Sequence, residues 1–199
     1  MANPSTPKAP LLGAQRFGWH LVPYPAFRNR LVALAGEVTG ARGRNKPGWE
    51  GSPTAKLLKR VVQLITNEIP RNPAAPEYEQ GNTLGADARG WRRAKFLGRF
   101  RLFFRFDTRS RIIIYAWVND EGTLRKEGST TDPYAAFRAM LLTGNPPHGW
   151  DALLDACRSQ PDAAERQSLE ALLGPMTPAV ENDGGPAAKP KNTKRAKRR

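Results

Sequence analysis

Two consecutive segments in the second half of the chain constrain the fold more than any other part of the sequence. Residues 99–106 alternate strictly, and residues 111–118 form a run of β-branched and aromatic side chains. A period of two is the side-chain repeat of a β-strand, and β-branched and aromatic residues favour strands. Because only the short turn 107–110 separates the two segments, we predict an antiparallel β-hairpin.

The same alternation places basic side chains together on one face of the first strand. Phe100, Leu102, Phe104 and Phe106 are predicted to face a core, and Arg99, Arg101 and Arg105 lie with Phe103 on the opposite face. Like charges side by side on a sheet are unfavourable unless an anion joins them, and the planar guanidinium suits phosphate. The spacing therefore favours a phosphate-binding face. The structural alternative is a solvated arginine-rich face that binds an acidic protein or only maintains solubility.

Positive charge extends beyond these three arginines. Nine basic residues lie between positions 89 and 111 against a single acid, Asp107. The nine are Arg89, Arg92, Arg93, Lys95, Arg99, Arg101, Arg105, Arg109 and Arg111. Trp91, Tyr115 and Trp117 are near in sequence, and aromatic rings can stack on splayed bases. Charge and aromatic residues together favour RNA as the ligand.

Helical patterns flank the hairpin. Apolar residues at helical spacing predict a helix that begins near Pro25, after a short opening strand at residues 17–22. Ser52-Pro53 resembles an N-cap followed by proline at the first helical position, and that helix should reach about Ile69. Two more helices are predicted at residues 132–142 and 150–158. Helices that flank one small antiparallel sheet define an α+β fold.

The length of 199 residues suits one domain with tails. We predict a disordered N-terminal tail at 1–15, a folded domain at 16–158, a loosely attached extra helix at 159–174 and a disordered basic tail at 175–199. The tails are rich in proline or in Gly, Ala and Lys, and they offer little apolar surface to bury. Half of the net charge of +14 comes from seven basic residues after position 183.

Composition disfavours several classes of protein. The only cysteine, Cys157, precludes an intramolecular disulfide and fits a reducing cytoplasm. His20 and His148, with that cysteine, offer no zinc-site spacing. No apolar run approaches the roughly 20 residues of a membrane span, and the N-terminus lacks the apolar segment of a secretory signal. The excess positive charge predicts a polyanionic partner: RNA, DNA or an acidic protein.

Long blocks of the sequence resemble one known family. They are the segment from Lys56-Leu57-Leu58 through Ile69-Pro70, then Asn72-Pro73, Thr83-Leu84-Gly85, Trp91-Arg92-Arg93-Ala94-Lys95-Phe96, Arg99-Phe100-Arg101-Leu102-Phe103-Phe104-Arg105, Trp117-Val118-Asn119-Asp120-Glu121, Thr123-Leu124-Arg125, Asp132-Pro133-Tyr134, Gly144-Asn145-Pro146-Pro147 and Trp150. Over roughly Phe17 to Leu154, the chain resembles the YhaV family of toxins from bacterial type II toxin–antitoxin systems. That family lies within the RelE-like superfamily, so the resemblance implies a RelE-like toxin domain.

The resemblance also implies an activity and partners. Such a toxin is a ribosome-associated endoribonuclease that cleaves translated mRNA in the cytoplasm. The ribose 2′-hydroxyl attacks the neighbouring phosphate, no metal or other cofactor takes part, and a 2′,3′-cyclic phosphate results. A PrlF-like antitoxin of the swapped-hairpin type neutralises the toxin, and the pair represses its own promoter by binding operator DNA.

The resemblance carries over to specific residues. The catalytic pattern falls on Arg93 and Lys95, on Arg101, and on Tyr134, which stands ahead of a predicted helix. Arg125 is a looser match, because an Asn-Asp-Glu segment departs from the RelE-like pattern there. The residues expected to bind RNA are Arg92, Arg99, Arg105, Trp117 and Arg125.

The chemistry suits these residue types. Phosphoryl transfer spreads negative charge over the phosphate oxygens, and preorganised cations such as Arg99 and Arg101 favour that state. A guanidinium is not a base, because its pKa exceeds about 12. Lys95, crowded by like charges, is the better proton acceptor. Tyr134 is a candidate base, leaving-group acid or stacking residue.

Other interpretations remain open from the sequence. The arginine face is compatible with a non-catalytic module that occupies the ribosome or an operator, or with an inactive toxin that serves only in autoregulation. His20 and His148 are a weaker candidate for a two-histidine ribonuclease site. The adjacent Asp120 and Glu121 are candidates for a base or for magnesium ligands, although salt bridges or a turn at the strand end are the simpler interpretation.

Overall fold

The computed structural model describes residues 8–45, 47–81, 83–85 and 88–179. Six strands are present: β1 (Leu12–Arg16), β2 (Trp19–Pro23), β3 (Arg92–Phe96), β4 (Phe100–Asp107), β5 (Ile112–Val118) and β6 (Met176–Pro178). The helices are α1 (Pro25–Gly43), α2 (Pro53–Gln63), α3 (Ile69–Arg71), α4 (Pro133–Leu142), α5 (Trp150–Ala156) and α6 (Ala163–Leu173). A π-helical turn, Leu64–Glu68, joins α2 to α3. The α+β class is therefore confirmed.

The strands form one sheet in the order β3-β4-β5-β2-β1-β6. The predicted hairpin is confirmed, since β4 and β5 pair antiparallel, and β3 pairs antiparallel with β4. Strand β2 pairs parallel with β5, so the sheet is mixed, whereas a purely antiparallel sheet was expected. The N-terminal segment thereby places β2 in the interior of the sheet.

Both faces of the sheet are covered. Leu102, Phe104 and Tyr115 pack with apolar residues of α1 and α2. On the other face, Phe103 and Ile114 pack in a second cluster with residues of α4 and α5. The expectation of a solvated arginine face opposite one core is therefore wrong, because α4 and α5 supply a second apolar layer that alternation in a strand cannot reveal.

The helix starts follow the sequence. The Ser52 hydroxyl accepts a hydrogen bond from the Ala55 amide at 3.2 Å, which confirms the N-cap of α2. The Asp132 side chain caps α4 by accepting from the Tyr134 amide at 3.0 Å. Helix α1 begins at Pro25, as predicted, and continues to Gly43. The cap of α4 matters most, because it fixes the position of Tyr134.

The predicted N-terminal tail contains a strand. Residues 12–15, expected to be disordered, form β1 together with Arg16, and β1 pairs with both β2 and β6. Leu11 and Ala14 are fully buried, and the absence of a side chain at Gly13 allows close approach to His20 of β2. Main-chain pairing and these two apolar residues stabilise a segment whose proline-rich surroundings indicated disorder. Residues 1–7 lie outside the described residues.

The C-terminal segment is also more ordered than its composition indicated. The predicted extra helix is present as α6, with a capping box between Asp162 and Glu165. It is not loosely attached, since Leu169 and Leu173 are buried in the cluster that contains the core residues of α1 and α2. Residues 176–178, placed in the tail by sequence, form β6, whose Met176 is buried. The basic residues after position 183 lie outside the described part of the chain.

Candidate active site

The β3–β4 hairpin brings the basic candidates together. Lys95 lies directly opposite Arg101, and Arg93 lies opposite Phe103. Since directly opposed and alternate residues share a face, Arg93, Lys95, Arg101 and Phe103 lie on the side of the sheet that α4 covers. Lys95 is exposed and Arg93 is half-buried.

Tyr134, the second residue of α4, is the centre of the cluster. The Arg93 Nε donates a hydrogen bond to the Tyr134 hydroxyl at 2.8 Å. The guanidinium carbons of Arg101 and Arg125 lie 5.9 Å and 5.4 Å from the centre of its ring. Three guanidiniums from different parts of the chain therefore surround one phenol, and all four residues were named from the sequence.

Arg101 is a buried cation. Only 6% of the residue is exposed, and its Nε has no hydrogen-bond partner among the described residues. Its Nη1 donates to the carbonyl oxygens of Phe100, at 2.7 Å, and Gly98, at 3.1 Å. No carboxylate of the described chain pairs with it. A buried positive charge without a counter-ion is unfavourable, so the position favours an anionic ligand.

Asp132 connects Arg125 to Tyr134. This buried carboxylate forms an ion pair with Arg125 and also accepts a hydrogen bond from the Lys126 amide at 3.0 Å. The hydrogen bond that Arg125 donates to Asp132 raises the pKa of Arg125 above its usual value. Through its other oxygen, Asp132 caps α4 at the Tyr134 amide. The Asp-Pro helix start identified the cap, but the sequence did not identify the ion pair.

Asn119 holds the neighbouring backbone. It is fully buried, and its Oδ1 accepts from the Arg101 amide at 2.6 Å. Its Nδ2 donates to the carbonyl oxygens of Thr123, at 2.8 Å, and Arg99, at 3.3 Å. Through these hydrogen bonds, the Asn119 side chain connects β4 to the segment that precedes Arg125. Sequence reasoning did not identify it, because a polar residue after a strand is usually part of a turn.

Two of the expected RNA-binding residues, Arg105 and Trp117, are half-buried and pack against aromatic rings. The guanidinium of Arg105 lies 5.5 Å from the ring centre of Trp91 and 5.7 Å from that of Trp150, and burial lowers its pKa. Trp117 stacks on Phe103 and Phe137, with ring centres 5.9 Å and 6.0 Å apart. One extra residue in β5, Ala116, turns Trp117 toward this cluster. Neither residue presents the open surface that was expected.

The other two arginines expected to bind RNA, Arg92 and Arg99, lie in different places relative to the Tyr134 cluster. Arg92 lies on the opposite side from Arg93, where it forms an ion pair with Glu79 at 3.2 Å. Arg99 lies outside the strand in the exposed β3–β4 turn, and its Nε donates to the Arg125 carbonyl at 3.1 Å. Arg99 therefore borders the Tyr134 cluster, and Arg92 does not belong to it.

The other candidates have structural roles. Asp120 caps the short turn Glu121–Thr123, and Glu121 pairs with Arg30 at 3.2 Å, as the simpler interpretation predicted. His20 is buried in β2, where burial lowers its pKa, and His148 is exposed in a loop. Burial raises the pKa of Cys157 to about 12. Across the described ranges, no group of three or more His, Cys, Asp and Glu residues is arranged to hold a metal ion.

Two open clefts adjoin the cluster. The first, which we name the hydroxyl cleft, has a volume of about 420 Å³. It is lined by Thr83, Arg125, Glu127, Gly128, Ser129, Thr130, Asp132, Tyr134 and Ala135. The second, of about 410 Å³, lies beside the edge strand β3 and is bordered by Arg93, Lys95 and the ion pair of Arg60 with Glu68. Arg93 and Tyr134, joined by a hydrogen bond, stand between the two.

Comparison with known proteins identifies the class to which this fold and site belong. A family model described as a toxin with endonuclease activity, of a toxin–antitoxin system, matches residues 21–158, more than half of the chain. The protein is therefore an enzyme of the endonuclease-toxin class, and such a system implies an antitoxin partner. No helix among the described residues combines the length and apolar character needed to cross a membrane.

Curated relatives identify the family. "Toxin YhaV" of Escherichia coli O6:H1 is 39% identical over 138 residues, which cover 68% of this chain and 90% of the relative. "Ribonuclease toxin YhaV" of Escherichia coli K12 has the same identity and coverage. The chain belongs to the YhaV family of toxins. No solved structure gives a significant match.

Proposed function

We propose that the protein cleaves translated mRNA on the ribosome by attack of a ribose 2′-hydroxyl on the adjacent phosphate, without a metal. The observation that carries this proposal is the contact of Arg93, Arg101 and Arg125 with one phenol, Tyr134. Fixed cations around a potential proton donor are suited to phosphoryl transfer, in which negative charge grows on the phosphate oxygens. The ribonuclease name of the relative from E. coli K12 supports RNA as the substrate.

In this proposal, Arg101 and Arg93 bind the scissile phosphate. Arg101 is buried and lacks a carboxylate partner among the described residues, so a phosphate oxygen would supply its missing counter-charge. Arg93 already donates to Tyr134 and to the Glu77 carbonyl, at 2.8 Å each, and is therefore fixed before substrate arrives. Preorganisation of this kind stabilises the transition state without reorganisation during the reaction.

Lys95 and Tyr134 move the protons. Lys95 lies opposite Arg101 on the exposed end of the hairpin, and its amine accepts the proton of the 2′-hydroxyl. The bond from O2′ to phosphorus forms as the bond from phosphorus to O5′ breaks. Tyr134 gives its proton to O5′, and its neighbouring guanidiniums stabilise the charge left on the phenol oxygen. The products are a 2′,3′-cyclic phosphate and a 5′-hydroxyl.

The partners follow from the same proposal. A PrlF-like swapped-hairpin antitoxin neutralises the toxin in the cytoplasm, and the complex represses its own promoter through operator DNA. The antitoxin supplies the DNA contact, since the fold of the described residues shows no helix-turn-helix. An acidic segment of the antitoxin would be attracted to Lys95, Arg93 and Arg99.

Induced expression followed by primer extension on a translated mRNA tests the activity. The wild type should stop growth and create new RNA ends, and Lys95→Ala and Tyr134→Phe should abolish or strongly reduce both. Lys59→Ala, an exposed lysine on α2, is the matched control and should behave as the wild type.

Two outcomes contradict the proposal. If Lys95→Ala and Arg101→Ala remain fully toxic and still cleave translated mRNA, the assignment of the site is wrong. Growth arrest without new RNA ends would favour a non-catalytic protein that occupies the ribosome through the same basic residues.

A further inference from the structure

The hydroxyl cleft differs in charge from the opposite side of Tyr134. Its one cation, Arg125, is paired with Asp132 and lies 3.5 Å from Glu127, so acids outnumber bases in its lining. Lys95, Arg93 and Arg101 have no carboxylate partner among the residues that the structure describes. A phosphate is therefore favoured beside Arg93 and Arg101 and disfavoured in the cleft. The group suited to the cleft is uncharged.

Arg125 offers a fixed, flat surface in this cleft. Asp132 holds one edge of its guanidinium, and the Tyr134 ring lies 5.4 Å from the guanidinium carbon. About a quarter of the side chain remains exposed, at 26%, and the residue lines the cleft. Unpaired bases of RNA stack on arginine planes as well as on aromatic rings. A neutral planar ligand thus has a platform next to the reacting groups.

The walls of the cleft carry hydroxyl groups. Thr130 is exposed, and its hydroxyl has no hydrogen-bond partner among the described residues. Thr83 also lines the cleft, and its hydroxyl donates to the Gln80 carbonyl at 3.0 Å and retains its capacity to accept. Ser129 is bound to Thr131 at 2.9 Å within the same loop. Hydroxyls that donate or accept are able to distinguish the edges of nucleobases.

We infer that the hydroxyl cleft binds the nucleobase next to the scissile phosphate, stacked on Arg125, and that Thr130 and Thr83 select which base is accepted. The inference rests on the proposed RNA cleavage and adds a source of sequence preference. The volume of about 420 Å³ lies at the lower end of the range of about 300–1,000 Å³ typical of small-ligand sites. One unpaired base is a ligand of suitable size, shape and charge.

Mapping of the 5′ ends of cellular transcripts after induction tests the inference. The wild type should favour one base at a position that flanks the cut. Thr130→Val and Thr83→Val should each change that preference about threefold to tenfold, the value of one hydrogen bond. Thr130→Ser, which keeps the hydroxyl, should retain the wild-type preference, and Thr39→Val on the exposed side of α1 is the matched control.

The outcomes separate the two proposals. If the wild type cleaves RNA but shows no preference at either flanking position, or if both valine variants share its preference, the cleft does not select the base. If the wild type creates no RNA ends, the proposed function itself fails. Thermal melting curves identify a variant that does not fold. If one of the two valine variants fails to fold, the base preference of the other one decides whether the cleft selects the base.

Discussion

At the scale of single residues, the site depends on polar side chains that hold others in place. Asp132 contacts Arg125 through one oxygen and the Tyr134 amide through the other. Asn119 fixes the Arg101 amide and the Arg99 carbonyl. A displacement of about 1 Å in a positioned group is able to lower a rate about 100-fold. These two residues therefore belong to the function although neither is assigned a chemical step.

Asp132→Asn should lower RNA cleavage roughly 10- to 100-fold, because the amide does not hold Arg125 as the carboxylate does. Asparagine keeps the N-cap, but its Nδ2 would face the donors of Arg125 and Lys126, so the free energy of unfolding should fall by about 1–3 kcal/mol. The measurements are cleavage rate and denaturant unfolding. Asp162→Asn, at the exposed N-cap of α6, is the matched control and should change neither. Equal loss of activity in both variants would contradict the positioning role.

Cys157 should resist alkylation in the folded protein at pH 8. Burial raises the pKa of its thiol to about 12 despite the nearby cations of Arg28 and Arg158, so little reactive thiolate exists at that pH. Mass spectrometry after treatment with iodoacetamide should show rapid modification only in denaturant. Rapid labelling of the native protein would show that the end of α5 opens readily.

At the scale of elements, the sequence predicted the strand pairs and the starts of the helices well. It predicted poorly which faces of the sheet are covered by helices. Alternation shows which residues of one strand share a face, as it did for Arg101 and Arg105 with Phe103. It does not show whether another layer covers that face, so the burial of Arg101 and the partial burial of Trp117 were missed. The strands β1 and β6 were missed because each is short and lies in a proline-containing segment.

The packing of β1 against β2 predicts that Gly13→Ala destabilises the protein. An added methyl carbon would clash with the Leu21 carbonyl oxygen and lie 2.8 Å from the ring of His20. Such overpacking costs about 1–3 kcal/mol, measured by denaturant unfolding. Gly36→Ala is the matched control, because the space around Gly36 in α1 is open. That change should stabilise the protein by about 0.5–1 kcal/mol.

At the scale of the whole molecule, positive charge is divided between the site and the C-terminal end of the sequence. Seven basic residues after position 183 account for half of the net charge of +14. The other half belongs to the rest of the chain, where the β3–β4 hairpin carries much of it. The first group would attract any polyanion, whereas the arginines of the hairpin are the ones proposed to bind the scissile phosphate.

Deletion of residues 184–199 should weaken binding to single-stranded RNA without changing the positions of cleavage. Each lost phosphate contact should reduce the slope of log affinity against log salt by about 0.7. Binding titrations at several salt concentrations measure the slope, and end mapping measures the positions. An unchanged slope would show that these charges do not contact RNA.

The pairing of β1 with β6 has a consequence for the newly made protein. Strand β1 is able to pair with β6 only after residues 176–178 have been synthesised. By then all of the proposed catalytic residues, the last of which is Tyr134, have already left the site of peptide bond formation. The sheet of the growing chain is therefore completed last, after every residue of the proposed site has been added.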